Sequence, residues 1–94
     1  MLHHILVKWK ERPSNTADMY ARIHTLFQET LTIPGVHGVE LIPNVVDRPN
    51  RYDLLIRIDM DMDALPVYDA CDAHHRWKDE YGPLIDKKAI FDCE

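Results

Sequence analysis

The chain has 94 residues, of which 46% are hydrophobic and 29% are charged, and its formal net charge at pH 7 is −5. This length predicts a single domain, residues 1–94, with a thin core, because a chain of this size buries only roughly 60–65% of its unfolded surface. The negative charge disfavours nucleic acid and anionic membrane surfaces as partners, and no apolar run reaches the ~20 residues that span a bilayer.

The first half of the chain predicts a strand, a helix and a second strand. Residues 3–10 alternate, so one strand face carries His3, Ile5, Val7 and Trp9. A cap among Ser14, Asn15 and Thr16 precedes apolar residues at helical spacing, namely Met19, Ile23, Leu26, Phe27 and Leu31. Pro34-Gly35 ends this helix. Residues 36–42 then indicate a strand, with His37, Val39 and Leu41 on one side.

The second half predicts a strand, a crossover, a helix and a short strand. Residues 52–60 alternate, so one face carries Tyr52, Leu54, Ile56, Ile58 and Met60. Residues 61–67 form a short crossover, because Pro66 prevents a long helix. A second helix begins at Asp72 or Ala73, with Asp72 suited to the N-cap. Its apolar stripe is Trp77, Tyr81, Leu84 and Ile85, and residues 89–93 form the last strand.

The order strand, helix, strand, strand, helix, strand matches the ferredoxin-like α+β fold. In that fold one four-stranded antiparallel sheet carries both helices on a single face. The other face would combine apolar and charged side chains, which are Leu6, Leu55, Lys8, Arg57 and Asp59. Because a thin core leaves this face undercovered, we predict a homodimer that brings two such faces together in a closed α+β barrel.

Four segments, taken together and in order, resemble the stress-responsive A/B barrel (Dabb) family. The segment His3–Lys10 is similar to the family's opening strand, which has a histidine, apolar residues and a basic-aromatic-basic triplet. Ile33–Val36 is similar to its Ile-Pro-Gly segment, and Tyr52 opens the third strand as in the family. Residues 73–92 resemble its closing helix and strand. The resemblance covers nearly the whole chain and implies a homodimeric, stress-responsive α+β barrel.

The resemblance also implies candidate site residues. Some plant members of the family are cofactor-free polyketide cyclases that use a tyrosine and a histidine between sheet and helices. The histidine matches His74, and the family's strand-one histidine matches His3. The tyrosine matches Tyr68 if a one-residue deletion falls before it, and Asp69 otherwise. The chain departs from those cyclases at Leu54, where they have a histidine, and at Cys71-Asp72, where the family has His-Pro.

The chemistry of these side chains gives them roles. An aldol closure needs a base that removes a proton beside a carbonyl and a donor that stabilises the enolate oxygen. His74 is the candidate base, because imidazole titrates near neutrality, and Tyr68 or His3 is the candidate donor. A small-molecule site also needs apolar walls. The ligand-binding residues that we expect are Ile5, Val7, Leu54, Ile56, Trp77 and Tyr81.

Three functions remain open from the sequence. The first, which we favour, is a homodimer that binds a small carbonyl-containing or apolar ligand between sheet and helices. The second is a cofactor-independent cyclase, isomerase or related lyase with His74 as general base. The third is a structural dimer without a pocket. We expect no cofactor and no metal, because the chain has no glycine-rich phosphate loop and no zinc-type ligand spacing.

The expected compartment is the cytoplasm. Met1–Ile5 has no basic region and no small-residue cleavage site, so no signal peptide is recognised. Cys71 and Cys93 lack the spacing of a metal site or a disulfide framework. We therefore expect two free thiols in a reducing environment.

Overall fold

The computed structural model describes residues 1–94 and contains one antiparallel sheet with helices on one face. The strands are β1 (Leu2–Trp9), β2 (Val36–Pro43), β3 (Leu54–Met60) and β4 (Ile85–Cys93). The helices are α1 (Thr16–Gln28), α2 (Leu65–Asp69) and α3 (Asp72–Tyr81), and short 3₁₀ segments cover Glu29–Thr32, Met62–Ala64 and Gly82–Leu84. The strand order is β2-β3-β1-β4. This confirms the predicted ferredoxin-like α+β fold, and none of its helices has the length and apolar character of a membrane span.

The core lies between the helices and the sheet face that they cover, which we call the inner face. Alternation along β1 and β3 puts Ile5 opposite Ile56 in the antiparallel register, and both are almost completely buried. Ile23 and Phe27 of α1 and Trp77 of α3 cover this layer from the helical side. Removal of these apolar surfaces from water is the main force that holds the helices on the sheet.

The opposite face of the sheet, which we call the outer face, has no helix over it. Leu6 of β1 lies between Leu55 of β3 and Ala89 of β4 in the sheet register. Phe91 of β4 is 63% exposed on this face. The Arg57 guanidinium donates to the Glu40 carboxylate at 3.0 Å, so one charge pair is already formed within the chain. The outer face is therefore a mixed surface with a large exposed aromatic group.

Two predictions in the first half were wrong in their details. Leu31 was expected on the apolar stripe of α1, but it is 43% exposed and Thr30 is buried instead. The reason is that α1 gives way to a 3₁₀ segment after Gln28, and three residues per turn change the direction of each side chain. His37 was expected beside Val39, but a β-bulge between Val36 and Gly38 turns its side chain into solvent.

The second half differs from the prediction around α3. The N-cap is Cys71, whose Sγ accepts from the backbone N–H of His74, so Asp72 is the first helical residue and not the cap. Ile85 was expected on the helix stripe but begins β4, which is longer than predicted because it pairs with β1 along its length. Pro66 lies in the first turn of α2, where proline is tolerated. The two cysteines are free thiols.

Candidate functional site

A cleft of about 320 Å³ opens between β1 and β4 on one side and α2 and α3 on the other. Its walls carry more polar and charged side chains than apolar ones. The lining residues are His3, Ile5, Leu65, Asp69, His74, Trp77, Lys78, Lys88, Ile90 and Asp92. The cleft therefore has both of the sequence-predicted histidines, one from the sheet and one from a helix.

His3 enters the cleft from β1. It follows the inner-face alternation of the strand and is only 5% exposed. The β1–β4 register places it opposite Asp92, whose Oδ1 lies 2.5 Å from the His3 Nδ1. An ionised carboxylate is only an acceptor, so the ring donates its Nδ1–H to Asp92. The bond fixes the orientation of a buried imidazole and, in the neutral ring, leaves Nε2 as the acceptor.

His74 enters the cleft from the first turn of α3. Its backbone N–H is held by Cys71, and its Nδ1–H donates to the backbone carbonyl of Asp69 at 2.9 Å. Burial lowers the pKa of His74 below its usual value of 6.5, and the nearby ammonium groups of Lys78 and Lys88 lower this pKa further. The carbonyl of Asp69 acts in the opposite direction. The result is a neutral imidazole at pH 7 whose Nε2 can accept a proton.

Tyr68 of α2 lies against both histidines. Its ring centroid is 5.4 Å from that of His3 and 4.8 Å from that of His74. The side chain is fully buried, and its hydroxyl is the one buried side-chain polar atom without a hydrogen-bond partner. Burial raises the pKa of Tyr68 strongly, and the charges of Cys71 and Asp69 raise it further. The hydroxyl thus stays protonated at neutral pH and is available as a donor.

The two residues that the resemblance left open occupy different places. Tyr68 contacts the two imidazoles, whereas Asp69 contributes its backbone carbonyl to His74 and lines the cleft. Of the six apolar residues expected at the ligand, Ile5 and Trp77 line the cleft. Three others, Val7, Leu54 and Ile56, are buried in the core. Tyr81 stacks on Trp77 at 5.2 Å. A direct role of these four in ligand binding stays a prediction.

Sequence reasoning gave no role to three residues that the cleft brings together. Asp92 was part of the family-like segment, but its bond to His3 depends on the β1–β4 register. Lys78 and Lys88 were treated as ordinary charged residues, and their convergence depends on how α3 packs beside β4. The sequence contains one indication of this grouping: His74 and Lys78 are four residues apart, which places them on the same side of a helix. No group of three or more His, Cys, Asp or Glu side chains is arranged to hold a metal ion.

Comparison with known proteins gives likenesses of structure. No family model and no curated protein matches the sequence. A Dabb family protein with a ferredoxin-like fold from Mesorhizobium loti is 18% identical, with a TM-score of 0.71 over 99% of this chain and 93% of that one. A dimeric ferredoxin-like protein of unknown function from Jannaschia is 17% identical, with a TM-score of 0.75 over 99% and 96%.

An enzyme is also among the similar structures. Hydroxynitrile lyase from Passiflora edulis is 11% identical, with a TM-score of 0.72 over 96% of this chain and 87% of that one. Structural similarity at sequence identities this low shows a shared fold and nothing more. The chain therefore shares the ferredoxin-like fold of the proteins from Mesorhizobium loti and Jannaschia.

Proposed function

We propose that the chain is a Dabb-family homodimer whose cleft binds a small carbonyl-containing ligand between the sheet and helices α2 and α3. One observation carries this proposal: two oriented imidazoles line one cleft, and the ring of Tyr68, whose buried hydroxyl has no partner, packs against both of them. A structural dimer without a pocket has no need of this grouping, because an unpaired buried hydroxyl costs stability.

The Tyr68 hydroxyl supports a carbonyl as the ligand group. Leaving a buried hydroxyl without a partner costs roughly 1–3 kcal/mol, and a carbonyl oxygen supplies the missing acceptor. Ile5 and Trp77 provide apolar contact beside it. The cleft volume of about 320 Å³ is at the small end of the range of ligand sites, roughly 300–1,000 Å³. A compact carbonyl compound, with one polar group on an apolar frame, fits a cleft whose lining combines apolar surface with polar and charged side chains.

The outer face supports assembly with a second copy. It carries Leu6 and Leu55 in register and the exposed Phe91, and a chain of 94 residues has a thin core of its own. The similar protein from Jannaschia is described as dimeric. Two copies that join these faces would bury at least roughly 1,000 Å². We also propose a cytoplasmic location and a role in stress responses, which rest on the family resemblance and the free thiols.

A neutral probe tests the binding proposal. The probe is 4-acetylbenzamide, titrated into the purified protein by calorimetry and by NMR. We expect saturable binding that His74→Ala removes. His75→Ala is the matched control, because His75 is the neighbouring residue of α3 but is exposed and does not line the cleft. Absence of binding to the wild type, or equal binding by both variants, would refute the proposal.

Acid–base catalysis on the bound carbonyl compound is a second candidate function. It is favoured by the lowered pKa of His74 together with the neighbouring ring of Tyr68, whose hydroxyl stays protonated. In this reaction the His74 Nε2 takes a proton from the carbon next to the carbonyl. The electrons of the broken C–H bond form a carbon–carbon double bond, and the carbonyl π electrons move to oxygen, which accepts a hydrogen bond from Tyr68. Attack of the enolate carbon on a second carbonyl carbon of the same ligand would close a ring and restore the first carbonyl. The π electrons of the second carbonyl would move to its oxygen, which would take the proton held by His74.

Deuterium exchange tests this second function. In D₂O, an active protein should exchange the acetyl methyl protons of 4-acetylbenzamide faster than buffer does, because enolisation by His74 is reversible. His74→Ala should reduce the rate to that of the buffer, and His75→Ala should not. Binding without faster exchange would leave a binding protein and exclude enolisation of this probe.

A further inference from the structure

The cleft has two chemically different ends. Asp92 and His3 form a bonded pair at one end. Lys88 lies four residues before Asp92 on the same face of β4, which places it about 13 Å away along the strand. Lys78 lies one turn after His74 on α3 and also lines the cleft. The bonded pair of His3 and Asp92 thus defines one end, and the two lysines, which both lie near His74, define the other.

The two lysine ammonium groups have no partner within the chain. None of the ion pairs involves Lys78 or Lys88. Of the two carboxylates in the lining, Asp92 accepts from His3, whereas Asp69 forms no ion pair and lies near His74. Two unpaired ammonium groups against one unpaired carboxylate leave an excess of positive charge in this cleft, although the chain has a net charge of −5. Such an excess favours an anionic ligand group there.

We propose that the cleft selects a carbonyl compound that also carries a carboxylate, that is, a keto acid. The carboxylate would bind Lys78 and Lys88, while the carbonyl would lie at Tyr68 and His74. This inference rests on the proposed function and adds the identity of the second ligand group. One helical turn separates His74 from Lys78, so a compact ligand reaches both of these residues.

Three probes of one shape test this selection. They are 4-acetylbenzoate, the neutral 4-acetylbenzamide and 4-acetylphenylphosphonate, which share the acetyl group and differ in the opposite substituent. We expect the benzoate to bind about tenfold more tightly than the amide at low salt, since each charge-assisted hydrogen bond strengthens binding. Its affinity should fall as salt rises, and that of the amide should not.

Charge-removing variants complete the test. Lys78→Gln with Lys88→Gln should abolish the preference for the benzoate over the amide. Lys10→Gln is the control, because Lys10 is an exposed lysine outside this cleft. Equal affinity for benzoate and amide in the wild type would overturn the proposal that the ligand is a keto acid. A preference for the benzoate that survives in the double variant would also overturn it, and in both cases the proposal of carbonyl binding would stand. Tighter binding of the phosphonate than of the benzoate would overturn the proposal that the second ligand group is a carboxylate. If none of the three probes binds, both the keto acid and the carbonyl-binding proposals are overturned.

Discussion

The Nδ1 of His3 lies 2.5 Å from the Oδ1 of Asp92, across 89 positions of sequence. The bond joins the beginning of β1 to the end of β4, which is an edge strand of the sheet. Because His3 is buried and lines the cleft, one contact both anchors the edge strand and orients a site histidine. Stability and ligand binding should therefore depend on the same pair.

Removal of the Asp92 carboxylate should destabilise the fold. Asp92→Ala leaves the buried His3 ring without its acceptor, so we expect the free energy of unfolding to fall by about 1–3 kcal/mol. Urea denaturation measures it, with Asp86→Ala as the control, because Asp86 is an exposed carboxylate of the same strand without an ion pair. A double-mutant cycle with His3→Ala should give a coupling energy of similar size. A coupling energy near zero would mean that the bond contributes nothing.

Removal of the Tyr68 hydroxyl should separate stability from function. Tyr68→Phe deletes a buried hydroxyl that has no partner, so we expect unchanged or higher stability, by up to about 1–2 kcal/mol, with weaker binding of 4-acetylbenzamide. Tyr20→Phe is the matched comparison, because the Tyr20 hydroxyl accepts from the Trp9 Nε1 at 3.0 Å. The free energy of unfolding of Tyr20→Phe should fall by roughly 1 kcal/mol, and its binding of 4-acetylbenzamide should be unchanged. Thermal unfolding and calorimetry measure both, and a destabilised Tyr68→Phe with full binding would contradict the assignment.

The imidazole of His74 should titrate below the usual histidine pKa of 6.5. Burial lowers the pKa of His74, so NMR titration of the ring protons should give a midpoint below 6.5. The unfolded chain then binds more protons than the folded one at pH values between the lowered pKa and 6.5. The contribution of His74 to stability is therefore complete above pH 6.5 and is lost as the pH falls below it. A midpoint at or above 6.5 would show that the ring is not desolvated.

A charge on the outer face should prevent assembly. Leu55→Lys puts an ammonium group on the predicted interface, opposite Leu6 in the sheet, and we expect a folded monomer in sedimentation and light scattering. Leu31→Lys is the control, because Leu31 is 43% exposed in the 3₁₀ segment that follows α1. The Leu31→Lys variant should remain a dimer at micromolar concentration. A wild-type monomer, or a Leu55→Lys dimer, would exclude this interface.

Local patterns in the sequence predicted most of the fold. The alternation in β3 identified the inner face correctly, because each side chain on a strand has only two directions. The errors arose where pairing between strands, and not local sequence, determines the secondary structure. Residues 85–88 include three charged side chains and look unlike a strand, yet pairing with β1 makes them part of β4. The bulge at His37 shifts the register by one residue, and no periodicity predicts such a shift.

The candidate site was predictable only in part. His3, Tyr68 and His74 came from chemistry and resemblance, and the fold brings these three together. Asp92 could not be assigned, because its position opposite His3 follows from the order of the strands and not from local sequence. The lysine end of the cleft depends on the approach of α3 to β4, and a single sequence does not specify this distance.

The most direct test of the central claim is a chemical-shift map with isotope-labelled protein and 4-acetylbenzamide. We predict that the largest changes fall on His3, Tyr68 and His74, that they saturate together, and that His74→Ala removes them while His75→Ala does not. Changes centred elsewhere on the chain, or an identical map for His74→Ala, would contradict a carbonyl-binding site in this cleft.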